Sequence, residues 1–322
     1  MSIQAITPYH FLLLCAFLFA APPNASMKPA QPNASMKPNP PNASAKPNPP
    51  IPAGDGMIQA GKLQVHYETH GTGAPLVFVH AGYQDLSMWD PQVTYFKKYN
   101  TVITVDMPGH GLTKGVDTTL LVKDMLRILL DSLHIPKASF VGLSMGGSCV
   151  TDFVLAYPER VDKVVLVGSG LSGWSEVLTM DTVSKQCFAT LERINSSHNL
   201  DSFAAAFTKI WCVGPARNAD AVPTSVRDAV FRTTLENLKE HPEDNHFPQM
   251  DSPPAALRMQ QWQRPLLIIT GDQDVPYIFA VAAWLHTTIK NSKKIVIPHT
   301  AHMLNMENPA LFNKTVHSFL QE

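Results

Sequence analysis

The sequence is poor in cysteine and has no excess charge of either sign. Its 322 residues include only 4 cysteines, which are too few for a disulfide framework at this length. No Cys-x-x-Cys pair is present to suggest a zinc ribbon. The 25 Lys and Arg nearly balance the 26 Asp and Glu, so the net charge is −1. That balance argues against a partner such as nucleic acid or an anionic membrane.

Long apolar runs are also lacking, and the N-terminal run at residues 11–21 is too short for a helix that crosses a bilayer. It has the length of the apolar core of a signal peptide, and Ala20 and Ala21 offer small residues for cleavage. Residues 1–21 therefore predict a secretory signal, which would leave no transmembrane span after cleavage. Use of this signal predicts a periplasmic or extracellular protein, whereas translation from Met57 would predict a cytoplasmic one.

Proline is distributed unevenly, since 12 of the 27 prolines lie within residues 1–52. A nine-residue repeat of Pro, Asn, Ala, Ser and Lys begins at Pro23, Pro32 and Pro41. A repeat this short has no apolar face with which to bury a core, and its prolines favour an extended chain. Residues 22–52 therefore predict a disordered linker that precedes a folded domain at residues 53–322.

The remaining chain alternates between strand-like and helix-like segments. Residues 120–133 have the apolar periodicity of a helix. Short apolar or β-branched runs recur at residues 63–68, 76–79, 101–105, 139–143, 163–167, 266–270 and 294–297. This alternation predicts an α/β fold with a mostly parallel, doubly wound sheet. Residues 170–264 are instead helix-like with scattered aromatics, which predicts a helical lid inserted over the sheet.

A candidate nucleophile lies in the motif Gly-Leu-Ser-Met-Gly at residues 142–146, between a predicted strand and a helix-like segment. Its glycines permit a turn too tight for larger side chains, and such a turn holds the serine hydroxyl above the sheet edge. The N-terminus of the following helix favours negative charge that develops nearby. At a strand–helix junction, this motif predicts that Ser144 is a nucleophile.

A nucleophilic serine needs a base, and the base needs an acid that orients it. Asp272 and Asp274 follow the predicted strand at 266–270, and His299 and His302 follow the strand at 294–297. The chain order serine, aspartate, histidine is one in which catalytic triads occur. The two histidines have no third partner in the sequence to complete a metal site, so no metal is predicted.

Several stretches at residues 57–322 together resemble the α/β-hydrolase superfamily. Leu-Val-Phe-Val-His-Ala-Gly at residues 76–82 is similar to the family's strand ending in His-Gly. Asp-Met-Pro-Gly-His-Gly at residues 106–111 is similar to its Asp-x-x-Gly-x-Gly turn. Tyr-Pro-Glu-Arg-Val at 157–161 and Glu-Asn-Pro at 307–309 are also typical of the family.

Two positions depart from the family pattern. Ala81 stands where the family usually has glycine, and Leu143 stands where many members have histidine. The resulting Gly-Leu-Ser-Met-Gly-Gly resembles the variant found in enol-lactone hydrolases. The first departure bears on the loop after the strand at 76–79, where the family places part of its oxyanion hole.

The resemblance implies a role for each candidate residue. Ser144 matches the nucleophile, Asp274 the acid and His302 the base, with Asp272 and His299 as the rival acid and base. The backbone N–H groups of Gly82 and Met145 match the oxyanion hole. His80 and Asp106 match positions that brace loops in this family.

These matches predict a serine hydrolase that cleaves a carboxylic ester or lactone of a small, apolar substrate through an acyl-enzyme, without a cofactor. Hydrolysis of a carbon–carbon bond in a dienone and cofactor-free perhydrolysis are alternatives on the same fold. A catalytically silent protein that binds a small ligand is an alternative of another class. The intact set of Ser144, Asp274 and His302 argues against that last alternative.

We expect residues 22–52 to be dispensable for catalysis, because they offer no apolar face to the domain. A chain that begins at Ala53 should retain kcat and KM within about twofold of the full chain. Circular dichroism and steady-state kinetics of the two chains, compared under identical conditions, check this. An unfolded or inactive shorter chain would show that the repeat packs against the domain.

Overall fold

This computed structural model describes residues 53–242 and 248–322. The predicted signal at 1–21 and the predicted linker at 22–52 lie outside the described residues. In the two described ranges, no helix combines the length and apolarity needed to cross a membrane.

The centre of the molecule is one sheet of eight strands in the order β1-β2-β4-β3-β5-β6-β7-β8. β1 pairs antiparallel with β2, β2 pairs antiparallel with β4, and all later pairings are parallel. The strands are β1 (Gly54–Ala60), β2 (Leu63–His70), β3 (Ala74–Val79), β4 (Asn100–Val105), β5 (Ala138–Leu143), β6 (Val161–Val167), β7 (Leu266–Gly271) and β8 (Ser292–Ile297). The predicted α/β fold with a mostly parallel sheet is confirmed.

Helices connect the parallel strands and cover the sheet. They are α1 (Asp90–Phe96), α2 (Val122–Ser132), α3 (Met145–Ala156), α4 (Thr182–Asn195), α5 (Leu200–Phe207), α6 (Thr224–Glu240), α7 (Pro276–Thr288), α8 (Leu304–Glu307) and α9 (Pro309–Gln321). A π-helical turn, Thr208–Val213, continues directly from α5. Short 3₁₀ turns lie at Leu86–Trp89, Pro158–Arg160, Trp174–Glu176, Ala219–Ala221, Ala255–Leu257 and Met259–Gln261.

The central strands are buried on both faces, as expected of a parallel sheet covered by helices. Every residue of β7 is buried, and so are the last four residues of β3, β5 and β6. Strand β1 was not among the predicted strands, because its Gly-Asp-Gly start lacks an apolar signal. All seven residues of β1 pair with β2, from Gly54 opposite Thr69 to Ala60 opposite Leu63, and this pairing orders a segment whose composition does not predict a strand.

The segment between β6 and β7, which we call the insertion (residues 170–264), is helical where it is described. It contains α4, α5, the π-helical turn and α6. Aspartate and asparagine side chains cap two of its helices, since Asp181 accepts from Ser184 N–H and Asn199 accepts from Ser202 N–H. Its predicted role as a lid remains a prediction.

Both ends of the insertion are attached to α3. The buried carboxylate of Asp152 accepts hydrogen bonds from the Ser172 hydroxyl at 3.3 Å and the Asp251 N–H at 2.8 Å. Arg258 bridges Asp152 and Asp251 at 3.2 and 3.0 Å. Burial raises the pKa of Asp152 to about 6. The helix that follows Ser144 therefore also anchors the base of the insertion.

Gly146, in the first turn of α3, sets how closely that helix approaches β3. A Cβ atom there would lie 2.2 Å from the Val79 carbonyl oxygen and 2.6 Å from that of His80. We expect Gly146→Ala to displace α3 and to lower the free energy of unfolding by about 1–3 kcal/mol, because buried backbone cannot yield easily. Chemical denaturation measures the change.

Ser148→Ala is the matched control, since it lies on the same helix and removes an atom rather than adding one. It should leave the denaturation midpoint close to that of the wild type. A Gly146→Ala protein as stable as the Ser148→Ala protein would contradict the close approach of α3 to β3.

Candidate active site

Ser144 lies at a sharp turn between the end of β5 and the start of α3. Its backbone has φ 56° and ψ −114°, a conformation that L-residues rarely adopt. The turn is possible because neighbouring positions lack side chains, and a Cβ at Gly142 would lie 2.5 Å from the Gly146 carbonyl oxygen. This backbone conformation costs about 1–3 kcal/mol, and the turn presents the hydroxyl at the carboxyl edge of the sheet.

Asp274 and His302 come together although 27 residues separate them in the chain. Asp274 follows β7, His302 follows β8, and these strands are neighbours whose carboxyl ends meet at one edge. The Nδ1 atom of His302 lies 2.9 Å from Oδ2 of Asp274. Their side chains are 2% and 0% exposed. A carboxylate at Nδ1 favours the tautomer in which Nε2 carries a lone pair and can accept a proton.

The pair lies beside the end of β6, next to the Ser144 turn. A Cβ at Gly168 would lie 3.0 Å from His302 Nδ1 and 3.4 Å from Asp274 Oδ2. Ser144 is tied to the same strand end, since its N–H donates to the Val167 carbonyl at 3.0 Å. Its hydroxyl makes no hydrogen bond to any described residue. Hydrogen bonds to a catalytic base commonly tighten only when substrate binds.

The two rival residues lie elsewhere. Asp272 and His299 are exposed, whereas Asp274 and His302 are buried. His299 has φ 61°, and its carbonyl accepts a hydrogen bond from Arg217 at 2.8 Å. Asp272 pairs through its backbone N–H with the Ile297 carbonyl. The structure therefore brings one member of each predicted pair into contact and leaves the other at the surface.

The backbone N–H groups of the loop after β3 differ in their partners. Ala81 N–H contacts the Met88 sulfur at 3.4 Å, Tyr83 N–H donates to His110 Nε2 at 3.0 Å, and Gln84 N–H donates to the Ala81 carbonyl. Gly82 is buried, and its N–H has no hydrogen-bond partner among the residues at 53–242 and 248–322.

Met145, the first residue of α3, supplies a second such N–H, because helix-start amides have no partner within the helix. Negative charge near this end is also favoured by the helix dipole. Gly82 and Met145 each offer such an N–H, and their role as an oxyanion hole remains a prediction. Ala81, where the sequence departs from the family pattern, is buried, and its N–H contacts the Met88 sulfur.

Buried histidines brace the Gly82 loop. His80 Nδ1 lies 2.8 Å from the Ala81 carbonyl, and its Nε2 accepts from the Met107 N–H at 2.9 Å. Burial lowers the pKa of His80, and burial together with the nearby His80 lowers the pKa of His110 to about 3. Both rings are therefore neutral at pH 7 and serve as hydrogen-bonding supports.

Asp106 braces the same region from the end of β4. Its carboxylate accepts from the N–H groups of Leu86 at 2.8 Å and Leu112 at 2.9 Å, and it contacts His66 Nδ1 at 2.7 Å. With its acceptor sites used in this way, Asp106 holds loops rather than facing a substrate.

Trp211 was missed as a site residue by sequence reasoning. Its indole ring lies 4.5 Å from the His302 ring, centroid to centroid, and its carbonyl accepts the His302 N–H at 3.2 Å. It was noted only as one of several aromatics in the insertion. Its contact with His302 depends on the π-helical turn, which no local sequence signal predicts.

Other aromatic side chains continue from this contact on the insertion side. Phe188 packs at 5.8 Å from Trp211 and 6.0 Å from Tyr277. Beside the Gly82 loop, Tyr83 packs against Phe203 and Phe207 at 5.0 and 5.3 Å. The surroundings of the candidate site are therefore rich in apolar, aromatic surface.

No group of three or more His, Cys, Asp or Glu side chains that could hold a metal ion occurs in the described parts of the chain. The free thiols of Cys149, Cys187 and Cys212 are buried. Burial raises the pKa of each, to about 12 for Cys212. These thiols are therefore protonated at neutral pH and are poor nucleophiles.

Comparison with known proteins agrees with this architecture. The model of the alpha/beta hydrolase fold family matches residues 74–309. A 2-hydroxy-6-oxononadienedioate/2-hydroxy-6-oxononatrienedioate hydrolase of Burkholderia vietnamiensis is 30% identical over 277 residues, which cover 81% of this chain and 92% of the relative.

Solved structures agree as well. A bromoperoxidase from Bacillus anthracis superposes with a TM-score of 0.67 and 25% identity, covering 83% of this chain and 100% of the other. An enol-lactonase from Burkholderia xenovorans superposes with a TM-score of 0.64 and 24% identity, with the same coverage, and supports the fold alone. The Ser144 turn, the sheet topology and these matches lead to one conclusion: the chain belongs to the α/β-hydrolase family.

Proposed function

We propose that this protein is a serine hydrolase that cleaves a carboxylic ester or lactone of a small, uncharged and apolar substrate. The observation that carries this proposal is the buried hydrogen bond between Asp274 and His302, placed beside the strained turn that presents Ser144. In this account Ser144 is the nucleophile, His302 the base and Asp274 the acid that orients the base.

The proposed reaction proceeds through an acyl-enzyme. His302 Nε2 accepts the Ser144 hydroxyl proton as the serine oxygen attacks the substrate carbonyl carbon. His302 then returns that proton to the leaving alcohol oxygen as the ester C–O bond breaks. A water molecule, deprotonated by His302, next attacks the acyl carbon, and collapse of the second tetrahedral intermediate releases the acid and restores the serine hydroxyl.

Two charges develop during this reaction, an oxyanion on the substrate and an imidazolium at His302, and each has groups that stabilise it. The N–H groups of Gly82 and Met145 are available to the oxyanion of each tetrahedral intermediate, where one such donor is typically worth about 10²–10³ in turnover. The Asp274 carboxylate stabilises the imidazolium that forms transiently at His302. Both supports come from backbone and side chains already in place at the sheet edge.

An uncharged substrate is favoured because the basic side chains of the insertion are used elsewhere. The guanidinium groups of Arg217, Arg227 and Arg258 each hydrogen-bond to protein acceptors. Arg264 stands just before β7, at the opposite end of the sheet from Ser144. The remaining basic residues in the described part of the insertion are exposed: Lys185, Arg193, Lys209, Arg232 and Lys239.

Carbon–carbon bond hydrolysis of a dienone is the second candidate, because the Burkholderia vietnamiensis relative is named as a hydrolase of an oxo-substituted dienedioate. The name of that relative describes a dicarboxylate, and burying a carboxylate requires a paired cation. The basic residues in the described part of the insertion argue against such a substrate, because they are hydrogen-bonded to protein acceptors, exposed, or at the opposite end of the sheet from Ser144. We therefore place a neutral ester or lactone first and a dienone second.

Substitutions at the three proposed residues test the mechanism. We expect Ser144→Ala to abolish hydrolysis, and His302→Ala and Asp274→Asn each to lower kcat by about 10³-fold or more, because the three residues act as a unit. Steady-state hydrolysis of a short-chain aryl ester measures the loss, and circular dichroism checks the fold of each variant.

His299→Ala and Asp272→Asn are the matched controls, since each changes the same residue type on the same loop. They should lower kcat by about tenfold or less, because neither side chain reaches the buried pair. If either control matched the loss at its partner, the assignment of base or acid would be wrong at that residue.

Substrate class is tested by a panel of neutral aryl esters, lactones and a dienedioate. We expect kcat/KM for the best neutral ester or lactone to exceed that for the dienedioate by about 10²-fold or more, because the dianion would lose solvation without gaining a cation. Spectrophotometric assays measure each rate. A preference for the dienedioate would establish the carbon–carbon hydrolase instead.

A further inference from the structure

One arginine of the insertion joins three parts of the molecule that meet at the candidate site. Arg217 Nε donates to the Val213 carbonyl at 2.6 Å, and Nη2 donates to the Cys212 carbonyl at 3.2 Å. These two carbonyls belong to the last residues of the π-helical turn Thr208–Val213, where no later N–H of the turn can donate to them. The guanidinium therefore fixes the end of the turn that carries Trp211.

The same guanidinium reaches the loop that carries His302. Arg217 Nη1 donates to the His299 carbonyl at 2.8 Å, and Nη2 donates to Glu307 Oε2 at 2.8 Å. The other oxygen of Glu307 accepts the Ala301 N–H at 2.7 Å. Arg217 and Glu307 thus hold the backbone on the N-terminal side of His302 at two points, residues 299 and 301.

His302 also contacts the π-helical turn directly. Its N–H donates to the Trp211 carbonyl, and its ring packs against the Trp211 indole. Close packing continues at Gly214, where a Cβ would lie 2.3 Å from the Gln273 carbonyl oxygen and 3.3 Å from the Ala301 side chain. The insertion therefore contacts both the loop of Asp274 and the loop of His302.

The ion pair is removed from solvent, with Arg217 9% and Glu307 3% exposed. Burial raises the pKa of the Glu307 carboxyl, whereas the Ala301 N–H and the Arg217 guanidinium oppose that rise. A buried pair of this kind is costly to desolvate and is weak evidence for stability alone. Its geometry, with all four donated bonds directed at two functional segments, indicates another use.

We propose that Arg217 and Glu307 form a positioning pair, through which the insertion holds the His302 imidazole in its reactive orientation. The inference rests on the proposed serine hydrolase and makes neither residue catalytic, since both act through the backbone around His302. The insertion then has a part in the chemical step as well as in covering the site.

The planar guanidinium cannot be replaced by a lysine ammonium, which cannot direct four hydrogen bonds to acceptors in one plane. We expect Arg217→Lys to lower kcat by about 10–100-fold while KM changes by less than about threefold, because a small misplacement of a catalytic group is costly. Glu307→Gln keeps an oxygen that can accept from Ala301 N–H. It should therefore retain kcat within about fivefold, while Glu307→Ala loses as much as Arg217→Lys.

Arg227→Lys is the matched control, because Arg227 also lies in the insertion but, among the residues that the structure describes, hydrogen-bonds to Val222 and Thr224 and not to the His302 loop. Its kcat and KM should equal those of the wild type. Circular dichroism and thermal denaturation establish that each variant is folded. If Arg217→Lys does not fold, the kcat values of Glu307→Ala and Glu307→Gln are compared instead.

A substrate-independent readout separates this inference from the proposed function. The imidazole N–H of His302, hydrogen-bonded to Asp274, should give a low-field proton NMR signal in the wild type and in Arg227→Lys. We expect that signal to shift or broaden in Arg217→Lys and Glu307→Ala. Wild-type protein without esterase activity would overturn the proposed function, and the NMR comparison would still test the positioning pair.

The inference is overturned if Arg217→Lys and Glu307→Ala are folded and keep the wild-type kcat and NMR signal. A rise in KM at unchanged kcat would also overturn it, because that result assigns Arg217 to shaping the substrate site. The inference is supported if Arg217→Lys and Glu307→Ala lose kcat and show the altered NMR signal while Glu307→Gln retains kcat.

Discussion

The candidate site depends on one buried hydrogen bond, between the Asp274 carboxylate and the His302 imidazole. Neither partner could be buried alone at reasonable cost, because an isolated charge or an unpaired ring nitrogen is penalised away from water. Their pairing assigns Nδ1 of His302 to Asp274, so Nε2 is the nitrogen that accepts the proton in the proposed reaction. The pairing also requires the loops after the neighbouring strands β7 and β8 to bring Asp274 and His302 together at the edge of the sheet.

Packing and hydrogen bonds on three sides position the residues of the candidate site. Beneath it, the sheet is buried on both faces, and α3 approaches β3 at the distance that Gly146 allows. On one side, neutral His80 and the Asp106 carboxylate brace the Gly82 loop. On the other, the insertion reaches His302 through Trp211 and is tied to the His302 loop by Arg217. The Asp274–His302 pair thus lies at the edge of the sheet and is contacted by the insertion.

Much of this could be predicted from sequence because the signals are local. Strand and helix periodicity predicted the parallel sheet, and a glycine-flanked serine after a strand predicted the Ser144 turn. The ends of two predicted strands limited the acid to Asp272 or Asp274 and the base to His299 or His302, and the resemblance to the family selected Asp274 and His302. Trp211 and Arg217 could not be predicted in this way, because the residues they contact in the His302 loop lie 82 or more positions away in the chain. Such contacts depend on how the insertion folds back, which periodicity does not reveal.

The most direct test of the central claim is labelling of the folded protein with a fluorophosphonate probe, followed by mass spectrometry of its peptides. The probe reacts with a serine only where a base and an oxyanion site activate it. The account predicts a single adduct on Ser144 in the wild type, and none in the His302→Ala protein. An unlabelled wild-type protein with native circular dichroism, or an adduct on another serine, would contradict it.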